Sequence, residues 1–322
     1  MRLSDSDFSP AMISTLLIVL PVFALILTGW VVRRAGVLGA HAASELNRFV
    51  VYLALPALLF DIVARARPEE IWQPAFIASF GLGCVMVFAT TLWIRWRRER
   101  HLADAAIDAL GSSYANTGYI GFPLALAVFG PAALAPTLIA SIITVCAIFA
   151  VAIVLIEVGL QDERSVGRVM RKTGASLAKN PLLVAPLLGA IFPLMNAHVP
   201  QSAETYLKLL GGAASPCALV SLGLFLAEKR ETKRAETGTV GLLIGLKLVA
   251  QPLVTWVMAA LVFRLPPTLV QPAVLLAALP TGTGPFMLAE FYQREAGITS
   301  KVIIFSTVLS VLTLTGYLMA GV

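Results

Sequence analysis

The chain has 322 residues, 58% of them hydrophobic and only 13% charged, with a mean hydropathy of +0.85. Those values exclude an ordinary soluble domain. The net charge of +6 would suit a nucleic-acid binder, but the basic residues sit in short loops between apolar runs, where they report membrane orientation instead.

Ten apolar segments follow in order: Met12–Val32, Phe49–Ala64, Phe76–Ile94, Ala105–Phe129, Ala132–Val158, Pro181–Asn196, Tyr206–Ala227, Val240–Val262, Val270–Tyr292 and Ile298–Ala320. Most reach the roughly 20 residues that cross a hydrocarbon core. Phe49–Ala64 and Pro181–Asn196 are short, and are expected to be steep or to borrow residues from their loops. The leading stretch MRLSDSDFSP is short and polar, and the first apolar run is too long for a signal peptide and lacks a small-residue cleavage site. No cleavable leader is expected.

Alternate loops carry very different charge. One side collects 18 Lys and Arg: Arg33, Arg34, Arg48, Arg95, Arg97, Arg98, Arg100, Arg164, Arg168, Arg171, Lys172, Lys179, Lys229, Arg230, Lys233, Arg234, Arg294 and Lys301. The other has 5, namely Arg2, Arg65, Arg67, Lys208 and Arg264, and Lys247 alone lies within a span. Positive charge accumulates on the cytoplasmic side. The 18 are therefore expected in the cytoplasm of a bacterial inner-membrane protein, with both termini outside.

The basic loop 161–180 divides the spans five and five, so 1–160 and 181–322 read as two halves. An odd number of spans per half turns the second upside down relative to the first, a common architecture of secondary transporters. The expected fold is an all-α polytopic membrane protein of ten helices in two inverted five-helix repeats.

In each half the fourth segment is broken. Span 4 is interrupted by Asn116, Thr117, Gly118, Gly121 and Pro123, and span 9 by Pro280, Thr281, Gly282, Thr283, Gly284 and Pro285. Unwound backbone in hydrocarbon leaves N–H and C=O groups unpaired at several kcal/mol each, so it survives only where it lines a protected cavity. Paired interruptions of this kind point to a transporter's substrate site. With the expected topology each second half-helix begins near the midplane. Both would aim free N–H groups and positive dipole ends at one point, an arrangement that suits a carboxylate. Asn116, Thr117, Thr281 and Thr283 add donors, and Pro285 suits a first helical turn. The bland alternative is that Asn116, Thr281 and Thr283 only cap helices.

Lys247 is a second candidate. A charge at roughly 10 Å of helix rise into a span is a functional hypothesis by default, and its alternative is to snorkel back to the interface. Gln251 lies on the same helical face and Pro252 frees a carbonyl beside it, so a polar patch with Lys247 as charge partner is expected. Small-residue runs such as Gly211–Ser215 and Ser221–Gly223 read as tight helix packing. Asp61, Asp108, Glu157 and Glu290 lie near span ends and are expected at the interface, and His41, His101 and His198 fall in loops. Cys84, Cys146 and Cys217 lie in apolar segments and read as small buried hydrophobes. There is no HExxH, no GxxxxGK[ST] and no pair of mid-span Asp residues, which argues against a metalloprotease, an ATP-driven pump and a sodium/proton antiporter. No cofactor, no metal and no nucleic acid are expected; the partners are a small organic anion and the lipid bilayer.

NRFVVYLALPALLF at Asn47–Phe60, ANTGYIGFPL at Ala115–Leu124, AKNPLL at Ala178–Leu183, ALVSLGLFLA at Ala218–Ala227, KLVAQP at Lys247–Pro252 and AALPTGTGPFMLAEFY at Ala277–Tyr292 run in order along the chain. Together they resemble the auxin efflux carrier family, which includes the plant PIN-FORMED carriers and bacterial transporters of malonate or malate. The resemblance implies a scaffold domain, a transport domain whose crossover helices hold the substrate carboxylate, an elevator-like motion and often a homodimer. It gives Asn116 the role of the crossover asparagine and Pro280 that of the proline at the second crossing. The chain departs from the plant pattern in having Ala115-Asn116 for Pro-Asn, Pro280-Thr281-Gly282 for Pro-Gln-Gly, and no long cytoplasmic loop. A small carboxylate is therefore expected rather than auxin. Export of an anion gains roughly 2.3 kcal/mol at 100 mV, so it needs no coupling ion. The alternatives are proton- or sodium-coupled uptake of malonate or malate, an anion channel, and a ligand-sensing membrane receptor.

Overall fold

The computed structural model describes residues 5–39, 41–66, 72–99, 101–161, 175, 177–227 and 234–320. Arg2, Arg67, Arg100, Arg164, Arg168, Arg171, Lys172, Lys229, Arg230, Lys233 and most of loop 161–180 lie outside the described residues. Among the described residues the chain is helical throughout. We number the helices α1 (Asp5–Arg34), α2 (Ala42–Ala64), α3 (Pro74–Glu99), α4 (Leu102–Ser113), α5 (Phe122–Phe129), α6 (134–159), α7 (Pro181–Leu194), α8 (Gln201–Leu226), α9 (234–262), α10 (Pro267–Ala278), α11 (Gly284–Phe291) and α12 (Ala296–Ala320).

Six helical stretches among the described residues are long and apolar enough to cross a bilayer: Ala42–Ala64, Pro74–Arg98, Phe122–Gly159, Gln201–Leu226, Thr237–Val262 and Ala296–Leu318. Pro181–Leu194 and Pro267–Ala278 are shorter apolar helices. The second apolar segment is completed from its loop, because the helix begins at Ala42 and not at Phe49. Its first turns carry Ser44, Glu45, Asn47 and Arg48, a polar face that hides the helix from a hydropathy reading. Phe122–Gly159 is divided at Gly130, whose φ of 70° ends α5 in a conformation that favours glycine.

Three helices widen to a π turn just before a proline: Val50–Ala54 before Pro56, Thr117–Gly121 before Pro123, and Leu246–Ala250 before Pro252. A proline lacks the N–H that would serve the carbonyl four residues back, and its ring crowds that carbonyl. Widening the turn relieves the crowding, and such turns concentrate at functional sites. In α9 the Leu248 carbonyl, four residues before Pro252, accepts instead from the Tyr317 hydroxyl at 3.0 Å.

Helices α1, α2, α7 and α8 pack on one another, while α3, α4, α6, α9, α10 and α12 form a second group that meets the first partly through α1 and α12. Small residues set the closest approaches. A Cβ placed on Gly223 would lie 1.9 Å from the Ile26 carbonyl oxygen, and one on Gly29 would lie 2.1 Å from that of Val220. The Ser221–Gly223 run is thus a packing surface between α8 and α1. Gly223→Ala must push the two backbones apart, and overpacking of this kind typically costs about 1–3 kcal/mol. The expected result is a lower melting temperature for the purified protein in detergent, with Leu222→Ala on the same helix as a size-reducing comparison.

Candidate functional site

The two breaks meet. The chain leaves α4 at Ser113 and α10 at Ala278, and the connecting strands pair as a short antiparallel bridge between Ala115 and Thr281. The Asn116 N–H donates to the Pro280 carbonyl at 2.9 Å, and the Gly282 N–H donates to the Tyr114 carbonyl at 3.0 Å. Side chains satisfy the groups that these strands leave over. The Thr281 hydroxyl donates to the Gly111 carbonyl at 2.8 Å, and the Thr281 N–H donates to Ser306 Oγ at 3.1 Å. Unwound backbone is thereby tolerated in the interior, as hydrogen-bond satisfaction requires.

Glycine lets the crossing close. Tyr114 lies across the second break, and a Cβ on Gly282 or Gly284 would come within 2.8 or 2.6 Å of its ring. The ring is held from the other side by Phe149, centroid to centroid 5.8 Å. Gly121, just before α5, packs against the end of α10, where a Cβ would lie 3.4 Å from Leu276 and 3.0 Å from Leu279 just beyond it. Pro123 and Pro285 each fall in the first turn of the helix that follows the break.

A cavity of about 580 Å³ opens beside this crossing. Asn116, Thr117 and Gly118 line it from the first break, and Thr283 and Gly284 from the second. The helix that starts at Thr117, with the π turn leading into α5, and the start of α11 both face it, and N–H groups in a first turn have no acceptor within their own helix. Thr117 Oγ1 is buried with no hydrogen-bond partner, and so is Ser141 Oγ on α6 across the cavity lining. Of the helix-capping alternative, the Thr283 side chain makes no cap bond, whereas the Thr281 hydroxyl does cap a helix, at the C-terminal end of α4, through the Gly111 carbonyl.

Pro280, Thr281 and Gly282 form the seam between the breaks and do not line the cavity. Lys247 and Gln251 lie behind it. The Lys247 ammonium is fully buried and donates to the Ala277 carbonyl at 2.7 Å, so it does not snorkel to the interface. Gln251 Nε2 donates to the Ser113 carbonyl at 3.1 Å and contacts Cys84 Sγ at 3.2 Å.

Other residues enter that sequence reasoning passed over or placed elsewhere. Tyr114 and Ser141 line the cavity, and the stretch Gly211–Ser215, read as packing, both packs and lines it: Gly211 abuts Leu58, and Gly211, Gly212, Ala214 and Ser215 face the space. Asp61 is buried, and Arg65, half-exposed, is the cation of the lining. Arg65 Nη2 lies 2.5 Å from Asp61 Oδ2, and its Nη1 lies 3.3 Å from Glu204 Oε1. Asp108, expected at an interface, is fully buried against Arg95, Nε to Oδ2 2.5 Å, which moves Arg95 out of its loop and into the packed wall between α3 and α4. Glu157 is half-buried and accepts from the Tyr292 hydroxyl at 2.7 Å. Arg294 grips Asp104 with two hydrogen bonds of 2.5 and 2.7 Å, which hold its guanidinium above the ordinary arginine value.

The membrane transport protein family matches residues 15–318. A protein of Rhizobium meliloti (strain 1021) named "Putative malonate transporter" is 32% identical over 305 residues, which cover 94% of each chain. An "Uncharacterized transporter" of Methanothermobacter thermautotrophicus is 29% identical over 92% of this chain and 95% of its own. "Auxin efflux carrier component 8" of Arabidopsis thaliana is 24% identical over 88% of this chain and 91% of its own. These relatives are transporters by name, not enzymes, and the multiple apolar helices agree with a multi-pass membrane protein. From near-complete coverage by the family and these similarities, the chain belongs to the auxin efflux carrier family of membrane transport proteins.

Proposed function

We propose that the chain is a secondary carrier of small organic carboxylates in a bacterial inner membrane, with its substrate site on the cavity wall where the broken helices cross. The observation that carries this reading is a buried donor with nothing to donate to. Thr117 Oγ1 has no partner, it lies on the cavity wall, and the helix starts at Thr117 and Gly284 open beside it. A carboxylate accepts such bonds and is favoured at two helix N-termini, each worth about 0.3–1 kcal/mol when exposed and up to about 2 when partly buried.

In this reading the ten spans form two inverted repeats, 1–160 and 181–322, joined by a cytoplasmic loop at 161–180. The group α1, α2, α7 and α8 is the scaffold, and the group that holds the crossing is the transport domain, which slides against it as an elevator. Charge asymmetry puts Arg65 on the outer side, so the cavity that runs from the crossing to Arg65 faces outward. Arg65 would raise the local concentration of anions at that mouth. Homodimers are expected, and transport leans to efflux because the membrane potential drives an anion outward. The similarity to the Rhizobium protein favours malonate as the first substrate to try.

Titration of the purified protein with malonate tests the site. Asn116→Ala and Thr117→Val should each weaken binding roughly ten- to a hundredfold, the worth of a hydrogen bond to a charged group, and leave the melting temperature of the unliganded protein unchanged. Unaltered affinity in both variants would remove the first break from the site.

A further inference from the structure

The N-terminal ends of the second half-helices face the cavity; the C-terminal ends of the first half-helices, α4 and α10, converge behind it. Each carries the negative end of a helix dipole, about half an elementary charge, on carbonyls that lack a donor in their own helix. Carbonyls of this kind, at half-helix ends within a broken span, are the ligands with which transporters hold a coupling sodium ion. In this chain they are taken. Ala277 O accepts from Lys247 Nζ at 2.7 Å, Ser113 O from Gln251 Nε2 at 3.1 Å, and Gly111 O from Thr281 Oγ1 at 2.8 Å. Lys247 is fully buried and stands on α9 one turn before Gln251, whose Oε1 is buried without a partner. A charged side chain so deep in a span is expensive, and it persists where a negative environment repays it.

We infer that the Lys247 ammonium is a tethered cation: it fills, from α9, the position at the Ala277 carbonyl, on the negative end of α10, that a coupling metal ion would otherwise fill. Removing the side chain opens a site for a small monovalent cation at the Ala277 carbonyl, on the negative end of α10. The consequence for coupling rests on the carrier reading. A crossing with its own cation needs no sodium, so transport runs on the substrate gradient and membrane potential. The cation site itself stands without that reading.

The test measures melting temperatures of the full-length protein in detergent, equilibrated in chloride salts of choline, sodium or methylammonium. The wild type should melt at the same temperature in all three. Lys247→Ala should melt lower in choline and recover several degrees in sodium or methylammonium, because a ligand bound only by the folded state raises its stability. Equal insensitivity of Lys247→Ala to all three, or stabilisation of the wild type by sodium, overturns the inference. Lys247→Gln keeps a donor for Ala277 O without the charge, and decides the matter if the alanine variant cannot be purified. It should also gain cation sensitivity, and wild-type stability in choline would show that charge is not needed. Since no step uses the substrate, a wild type that carries no carboxylate would sink the carrier reading and leave this result standing.

Discussion

Asp108→Ala should lower the stability of the protein by about 3–5 kcal/mol, the usual cost of truncating one partner of a buried ion pair. Asp108 and Arg95 are both buried, with Nε and Oδ2 2.5 Å apart, and one turn along each helix Thr91 and Ser112 share a hydrogen bond of 2.7 Å. The two contacts form a ladder between α3 and α4. The alanine variant takes away the carboxylate that the Arg95 guanidinium faces in a medium where a lone charge is poorly solvated. Replacing both residues by apolar ones of similar volume, Arg95→Met with Asp108→Leu, should recover most of the loss, since a buried pair is often no better than a packed hydrophobic pair. Thermal melting of the single and double variants checks both statements. An Asp108→Ala protein that melts with the wild type would mean that the pair contributes nothing to holding α4.

Gly284→Ala should cut transport at least tenfold. The added methyl would lie 2.6 Å from Cζ of Tyr114 and 2.9 Å from its hydroxyl oxygen. The ring cannot yield freely, because Phe149 packs on it and the Tyr114 carbonyl is bonded to the Gly282 N–H at 3.0 Å. Either the ring swings into the cavity or the seam between the breaks opens, and both disturb the donors of the first break. Overpacking typically costs about 1–3 kcal/mol, and misplacing a binding group by an ångström adds a functional loss to it. Tyr114→Leu in the same chain relieves the collision, so the double variant should transport better than Gly284→Ala alone. That inequality, measured as initial uptake rates in proteoliposomes, isolates the contact from any general intolerance of Gly284 to substitution.

How much could be read beforehand follows from where the information lies along the chain. Both breaks announce themselves locally, because glycine and proline within an apolar run have few other uses; Asn116, Thr117, Gly118 and Thr283 do come together at one cavity. The roles of Thr281 and Lys247 were not legible, since their partners, the carbonyls of Gly111 and Ala277, are 170 and 30 residues away in sequence. Arg95 and Asp108 looked like charges at the ends of neighbouring spans, and only the packing of α3 on α4 turns them into a buried pair. Tyr114 and Ser141 carried no signal at all: an aromatic ring before a break and one serine in an apolar helix are both ordinary. The early start of α2 was hidden by its polar first turns, whose Asn47 amide reaches the Met287 carbonyl at 3.4 Å across 240 residues.

The most direct test of the account is the current from proteoliposomes after a rapid jump of malonate, malate, pyruvate or indole-3-acetate, with sodium and proton gradients absent. The account predicts a saturable current for a small carboxylate, with counterflow, and with half-saturation moved to higher concentration in Thr117→Val. No saturable current for any of the four, or a current that rises linearly with concentration and shows no counterflow, would contradict it.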